Sequence, residues 1–464
     1  MRCTAIYEHN FAQEGVLVLT IQIHFDQAWR DAAELTLPEP ERGVRGTSRL
    51  RYSPDYALDR MFRDDLHACS MLLPVELMLT HESPRWFGFL EDIMPAGASR
   101  RFWVNYLGLQ DLPEGHQDTE LLARGTIAPI GNLRIKEAVP DPSAKDVLGE
   151  RRFAMRSVVE RDTDFLEYAQ QMGAASGGAT GAGGEAPKLL LRLSGDEEVW
   201  IDTWQDDCHQ PDIPMLVKFP RGRRSIDDCD ILRAEYHYYQ ELAALGVDTI
   251  GTSDMRLVEG ERYPSLWLPR FDMQYLDGAW VHYGLESVYS LMEAAPGSFL
   301  KHGDTLRRLV GLMEGQHRVR ELGAVFDAQA FVIEWVRRDL LNVAFGNSDN
   351  HGRNSALLKR PEGSWLSPVY DFAPMKADPE GVTRTTQWGA PLEVGGEFDW
   401  VAIADSLGDL AEPDRLLAEL RQLAVALEGL DERLAARGVP ARILDMPAVG
   451  LRSLDERLRR WGLL

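Results

Sequence analysis

The sequence predicts an α+β chain in which a sheet-rich first part leads into a mostly helical second part. Three observations carry this reading. Short runs rich in apolar and β-branched residues, such as 16–25 and 215–219, are bounded by turn residues, as strands are. From about residue 273 onward helical periods dominate, with 284–294, 304–322 and 328–345 reading as helices. Near the C-terminus Leu416, Leu420, Leu423, Leu427, Leu430 and Leu434 recur in 4-3-4-3 steps, the apolar face of one core-packing helix.

Composition narrows the classes. At 464 residues the chain has room for two or three domains with ample core. Its 50 Lys and Arg against 73 Asp and Glu give a net charge of −23, a surface that repels nucleic acid, so no direct nucleic-acid binding is expected. The dense basic clusters, 221–224 and 457–460, read as solvated faces or phosphate contacts. Cys3, Cys69, Cys208 and Cys229 lack metal-like spacing, which fits a reducing cytoplasm. No apolar run reaches the ~20 residues of a membrane span, and no signal pattern opens the chain. Scattered histidines argue against a zinc enzyme.

In order, residues 1–140 form a small α+β module. Residues 16–25 are a buried strand, the segment after Leu50 alternates and turns at Pro54, 86–107 are helical with a break at Pro95, and 125–135 return to strand-like composition. Nothing in this module looks catalytic. A linker at 138–146 and a charged helical stretch at 149–172 follow. The glycine-rich run 173–188 then enters an apolar strand. Such a turn lets backbone N–H groups approach phosphate oxygens; a flexible linker is the other reading. No Gly-Lys-Ser/Thr follows, so it is not a Walker A loop.

Lys218 lies in the otherwise apolar strand 215–219, where a buried ammonium needs an anionic partner unless the strand is an edge that lets it reach solvent. The helix 227–245 offers Glu235 as that partner, or else an exposed helix acid. Two strands follow, 256–259 and 263–271, the second a hinge whose backbone from Pro269 to Phe271 could bond an adenine edge. Pro269 has no N–H, so the donor falls to a neighbour such as Phe271.

The chemistry concentrates in 346–372. Asp349 is followed five residues later by Asn354, and Asp371-Phe372 comes after a short hairpin at 355–370. Alone, Asp-x-x-x-x-Asn arises by chance in turns. Here it sits between an apolar helix and a hairpin, where site residues gather. One carboxylate to take a hydroxyl proton, with an amide and a second carboxylate for metal ions, is the inventory of phosphoryl transfer. The expected architecture is therefore a two-lobed, protein-kinase-like α+β fold: the module 1–140, an N-lobe with a mixed sheet at 141–272 and a mostly helical C-lobe at 273–464.

The set resembles the HipA family of bacterial toxin kinases over nearly the whole chain. The residues that carry the resemblance are Phe87-Gly-Phe-Leu-Glu-Asp-Ile-Met-Pro95, Leu216-Val-Lys-Phe-Pro220, Glu235-Tyr-His-Tyr-Tyr-Gln-Glu241, Pro269-Arg-Phe-Asp272, Asn347-Ser-Asp-Asn-His-Gly-Arg-Asn354 and Pro368-Val-Tyr-Asp371. The resemblance implies a serine/threonine protein kinase using ATP and Mg2+. It also implies a helix-turn-helix antitoxin partner and a protein substrate such as an aminoacyl-tRNA synthetase. By position Asp349 would be the catalytic base, and Asn354 and Asp371 the metal ligands. Lys218 would hold the phosphates. Gly181, Gly183, Gly184 and Lys188 would belong to the phosphate loop, with His351, Arg353 and Tyr370 near the nucleotide. The family's self-phosphorylated Ser aligns with Gly181 here, and Ser176 and Thr180 are the nearest hydroxyls. A small-molecule kinase of the aminoglycoside or choline type and a non-catalytic ATP-binding regulator are the alternatives. The N-terminal module weighs against the first, and the full set of catalytic residue types against the second.

Overall fold

The computed structural model describes residues 15–141, 151–171, 187–316 and 326–464. The glycine-rich run with Ser176, Thr180, Gly181, Gly183 and Gly184, and most of the 138–146 linker, lie outside the described residues.

The N-terminal module is built on an antiparallel sheet of β1 (Leu17–Phe25), β2 (Ala28–Leu37), β3 (Ser48–Tyr52), β4 (His81–Ser83) and β5 (Leu133–Ile135), in the order β4-β3-β2-β1-β5. Asp26 and Gln27 turn the first hairpin with φ of 46° and 60°, the left-handed pair that matches strand twist. Helices Gly88–Ile93 and Gly97–Tyr106 are separated at Pro95, as the sequence predicts. The stretch 125–135 differs from expectation. Gly125 closes the helix Glu114–Gly125, and only Leu133–Ile135 pairs, against Ile21 to Ile23.

The second sheet has β6 (Phe153–Ala154), β7 (Lys188–Leu193), β8 (Glu198–Trp200), β9 (Ile213–Lys218), β10 (Arg256–Glu259) and β11 (Pro264–Pro269), antiparallel, in the order β10-β11-β9-β7-β8-β6. Strand alternation sorts its faces. Leu191, Leu193, Met215, Val217 and Trp267 pack on one side with Phe165 and Tyr168. Leu190, Leu216, Leu266 and Leu268 face the helix Ile226–Ala244 and the rest of the main core. Lys188 and Lys218 share that second face, two positions from Leu190 and Leu216, and are register partners. Ser225 and Asp228 cap the helix reciprocally, which fixes where it begins. The 149–172 stretch is not one helix: β6 precedes Met155–Glu160 and Thr163–Gln171, and left-handed Arg161 (φ 59°) separates those two.

Residues 273–291 depart from the helical expectation. They form the hairpin β12 (Met273–Leu276) and β13 (Ala279–His282), then β14 (Gly284–Ser287) and a single turn, Val288–Leu291. Asp277-Gly278, both at positive φ, is the hairpin signal. After β15 (Leu300–Lys301), the hairpin of β16 (Ala356–Arg360) and β17 (Gly363–Leu366) pairs through β16 with β14, and β18 (Thr386–Gln387) pairs parallel to β15. Around them pack His302–Gly315, Ala328–Ala344 and the C-terminal helices. The leucine stripe is buried throughout but belongs to two helices, Pro413–Leu427 and Leu430–Arg437, because Gly429 (φ 67°) turns the chain between them. Pro413 opens the first and Gly438 (φ 104°) ends the second, as expected. No helix among the described residues is long and apolar enough to cross a membrane.

Candidate active site

Lys218 leaves the end of β9 toward the helix Ile226–Ala244, where Glu235 meets it: Lys218 Nζ donates to Glu235 Oε1 at 2.5 Å. The same ammonium donates to Asp371 Oδ1, and Lys188 Nζ donates to Asp371 Oδ2 at 3.2 Å. One carboxylate is thus held by two ammoniums from adjacent strands. Asp371 itself sits at φ 52°, in the left-handed region that costs a non-glycine residue on the order of 1 kcal/mol or more, strain of the kind that gathers at functional sites. Tyr239 fixes both sides of this bridge. Its hydroxyl donates to Glu235 Oε1 at 3.1 Å and accepts the Phe372 N–H at 3.2 Å. The helix is braced from behind by Arg433 and Arg437, which donate to the two oxygens of buried Glu241 at 2.7 and 2.6 Å.

The charges follow from this packing. Burial pushes the Asp371 carboxyl up, yet the Lys188 and Lys218 ammoniums outweigh it and hold the group far below the usual carboxylate range. Burial opposes the Lys218 charge, but Asp371 and Glu235 raise it above the ordinary lysine value. Lys188, with Asp371 as its main counter-charge and Lys218 as a like charge, is lowered, chiefly by burial.

The loop before Asn354 carries the second carboxylate. Asn347 Oδ1 accepts the Asp349 N–H at 3.1 Å, and Asn354 Nδ2 donates to the Asp349 carbonyl at 2.7 Å, so the Asp-x-x-x-x-Asn spacing closes a turn on itself. His351 Nδ1 accepts the Asn354 N–H at 3.2 Å. That leaves the ring proton on Nε2, 3.3 Å from Asp349 Oδ1. Burial pushes the Asp349 carboxyl upward, with Asp371 adding and His351, Lys188 and Arg221 opposing.

These groups line contiguous cleft space. A pocket of about 370 Å³ has apolar walls from Ile130, Leu216, Leu268, Pro269, Phe271 and Tyr370, with Lys188, Lys218 and Asp371 at its polar end. The same three residues, with Arg221, Glu235 and Asp349, line the next space of about 510 Å³. Asp349 continues into a third of about 660 Å³ together with Asn354. Phe271 and Tyr370 pack against each other on the wall of the apolar pocket, ring centroids 5.2 Å apart.

Among the described residues no group of three or more His, Cys, Asp or Glu side chains is arranged to hold a metal ion. A magnesium ion that takes most of its ligands from phosphate and water needs fewer: one or two carboxylates suffice. Asn354 Oδ1 fits such a role, being buried with no hydrogen bond of its own.

Arg353 is buried between the pocket wall and the N-terminal module: its Nε is 3.8 Å from Asp92 Oδ1, and its carbonyl accepts the hydroxyl of Tyr370, which lines the apolar pocket. Consecutive loop residues splay to opposite sides, so His351 faces Asp349 while Arg353 faces outward to the module. Sequence reasoning missed Tyr239, although its spacing of four from Glu235 places both on one helix face. It also missed the hinge anchor. Arg270 donates to Asp272 at 3.0 Å, and Asp272 Oδ2 accepts the Gly131 N–H at 2.7 Å, tying the hinge to the module.

Residues 180–429 match the family model described as the HipA-like C-terminal domain. Among solved structures the chain is similar to HipA of the Shewanella oneidensis MR-1 toxin–antitoxin system, solved with HipB and its operator DNA. The TM-score is 0.61 at 16% identity, over 96% of this chain and 97% of that one. A likeness to the Helicobacter pylori proinflammatory kinase CtkA, at TM-score 0.34 and 12% identity over 60% of this chain and 89% of that one, is too weak to bear on the fold. No curated protein matches the sequence. The α+β, two-lobed, kinase-like architecture expected from the sequence is the one found.

Proposed function

Because the chain belongs to the HipA-like family, we propose that it is an ATP- and Mg2+-dependent serine/threonine protein kinase, the growth-arresting toxin of a toxin–antitoxin pair. The observation that carries the reading is the Glu235–Lys218–Asp371 bridge opening onto a cleft that Asp349 also lines. A lysine paired with a helix glutamate beside a loop aspartate is the set that positions a triphosphate in kinases.

In this reading the adenine enters the apolar pocket beside Pro269 and Phe271, and the phosphates reach Lys188 and Lys218. Both ammoniums exchange Asp371 for phosphate oxygens. Asn354 and Asp371 would hold magnesium, which supplies neutralisation of the triphosphate charge. Asp349 accepts the proton of the attacking hydroxyl; its raised pKa suits a base that must also release the proton. The His351 Nε2–H keeps the Asp349 carboxylate aimed. Arg221 lines the same cleft wall, where it pairs with Asp378 at 2.9 Å, and in this reading it meets phosphate.

The acceptor is a bacterial protein, with an aminoacyl-tRNA synthetase the class that the family resemblance implies. The partner is a helix-turn-helix antitoxin; the Shewanella HipA was solved with HipB and operator DNA, which supports an assembly of that kind. DNA contact falls to the antitoxin, since this chain carries a net charge of −23. Thiophosphate labelling of a bacterial lysate tests the proposal. A labelled protein band with the wild type, absent with Asp349→Asn, is expected. Label confined to small molecules, or equal labelling by Asp349→Asn, overturns it.

A further inference from the structure

The N-terminal module has no catalytic residue in the reading above, yet one of its carboxylates reaches the loop that carries Asp349 and Asn354. Helix Gly88–Ile93 lies so close to the single turn Val288–Leu291 that a Cβ on Gly88 would come within 2.6 Å of Ser290 Cα. Only glycine allows that approach. At the end of this helix Asp92 Oδ2 accepts the Ser287 N–H at 2.8 Å. The corner so fixed then holds the catalytic loop by its backbone: Tyr289 N–H donates to the Gly352 carbonyl at 3.0 Å and Val288 N–H to the Ser355 carbonyl at 2.9 Å. A Cβ on Gly352 would sit 2.7 Å from the Tyr289 ring, so the loop has no slack there. Asp92 also meets the loop directly, its Oδ1 3.8 Å from Arg353 Nε, and Arg353 is the residue before Asn354.

A second carboxylate makes this junction firm without touching the loop. Glu286 accepts Ser70 Oγ at 2.5 Å, the Met71 N–H at 2.9 Å and Ser290 Oγ at 2.9 Å, and faces Lys359 at 3.4 Å. Glu286 therefore docks the module, while Asp92 contacts both the corner and the loop. A charge in that place is costly: burial pushes the Asp92 carboxyl up to about 6, with Arg353 the largest opposing influence.

We propose that Asp92 is a positioning residue of the kinase reaction, latching the Asp349–Asn354 loop through Arg353 and the 287–289 corner, so that the N-terminal module sets the geometry of phosphoryl transfer. This rests on the kinase reading for its catalytic readout, but the latch itself is structural. Neither Lys188 nor Lys218, the phosphate-holding groups of that reading, is part of the latch, so its loss is expected to affect turnover more than ATP binding.

The test is Asp92→Asn in the full chain, which keeps an acceptor for Ser287 and removes the charge facing Arg353. Two measurements are made: ATP turnover with kcat and KM separated, and amide hydrogen exchange of residues 350–356. The expected result is a roughly 10- to 100-fold fall in kcat with KM for ATP unchanged, and faster exchange confined to the loop. Arg353→Gln should reproduce both effects, and the double variant should be no worse than either single; it also serves if Asp92→Asn does not fold. Wild-type exchange and wild-type kcat in these variants overturn the latch. A parallel fall in kcat and rise in KM with exchange increased throughout the chain also overturns it, because that marks general loosening. If the wild type turns over no ATP while loop exchange still responds to Asp92→Asn, the kinase reading fails and the latch stands.

Discussion

Two buried aspartates in this protein sit in opposite kinds of network. Asp339, on the helix Ala328–Ala344, accepts from Arg384 at 2.9 Å and from the Trp388 indole N–H at 2.8 Å, with His302 Nε2 at 3.4 Å. Arg384 in turn donates to Glu393 at 3.0 Å. Asp371 accepts from two lysines and sits on a left-handed turn. Burial raises both carboxyls, and in both the neighbouring positive charges win and hold the group far below its usual range. A depressed pKa therefore cannot tell the two apart. The partners can. Guanidinium and indole donors are rigid and directional, whereas lysine is a point charge on a flexible stem that can change partner. Asp339 has helical backbone and fixed donors, the marks of structure. Asp371 has backbone strain and exchangeable donors, the marks of a site; a place on the cleft does not separate the two, since Asp339 lines the space that Asp349 and Asn354 share.

The largest effect should come from the cleft residue that holds no structure together. Asp349→Asn should lower ATP turnover by about 10²- to 10⁴-fold, the usual worth of a general base, with the thermal midpoint within a degree or two of wild type. Turnover within a factor of two of wild type would remove Asp349 from the chemistry and break the contrast at its functional end.

Asp339→Asn and Asp371→Asn should then diverge. The first leaves Arg384 buried with only Glu393 opposing it, a loss on the order of 3–5 kcal/mol in denaturant unfolding, while the folded fraction keeps its nucleotide-induced thermal shift. The second removes the carboxylate that Lys188 and Lys218 share, and should abolish the Mg2+-dependent part of that shift. Equal stability losses in both, with nucleotide response intact in both, would make Asp371 another structural aspartate. A milder swap sharpens the point: Arg384→Lys should cost about 1–2 kcal/mol, because one ammonium cannot reproduce the fork shared between Asp339 and Glu393, with activity per folded molecule unchanged.

What the sequence made legible follows the same division. The cleft was readable where its signals are local: Asp349 and Asn354 five apart, Lys218 in an otherwise apolar strand, Glu235 on the helix that follows. Partners set by tertiary packing were not. Asp92 meets Arg353 only because the module folds back on the C-lobe, and the sequence offers no period or spacing to announce it. The 284–294 stretch reads as helix until β14 finds β16 to pair with. The leucine stripe conceals the break at Gly429, since two helices on one core continue the same apolar rhythm.

The smallest test uses acid. Asp339 and Asp371 have folded-state pKa values below the unfolded value of about 3.9, so each stabilises the fold fully well above that value and loses its contribution as pH falls toward and through it. Asp92 runs the other way. Its carboxyl, pushed up to about 6 by burial despite Arg353, weakens the fold above that pH and ceases to do so as it protonates on the way down. Between pH 7 and 5 the Asp92 term should therefore raise stability, and Asp92→Asn should flatten the rise. Between pH 5 and 4 the two depressed aspartates begin to withdraw support, by roughly 0.3 kcal/mol each, and more steeply below. Urea midpoints of wild type, Asp92→Asn and Asp371→Asn across pH 4–7 read both limbs. If Asp371→Asn keeps the wild-type slope below pH 5, the two lysines do not hold that carboxylate in solution, and the contrast with Asp339 loses its electrostatic basis.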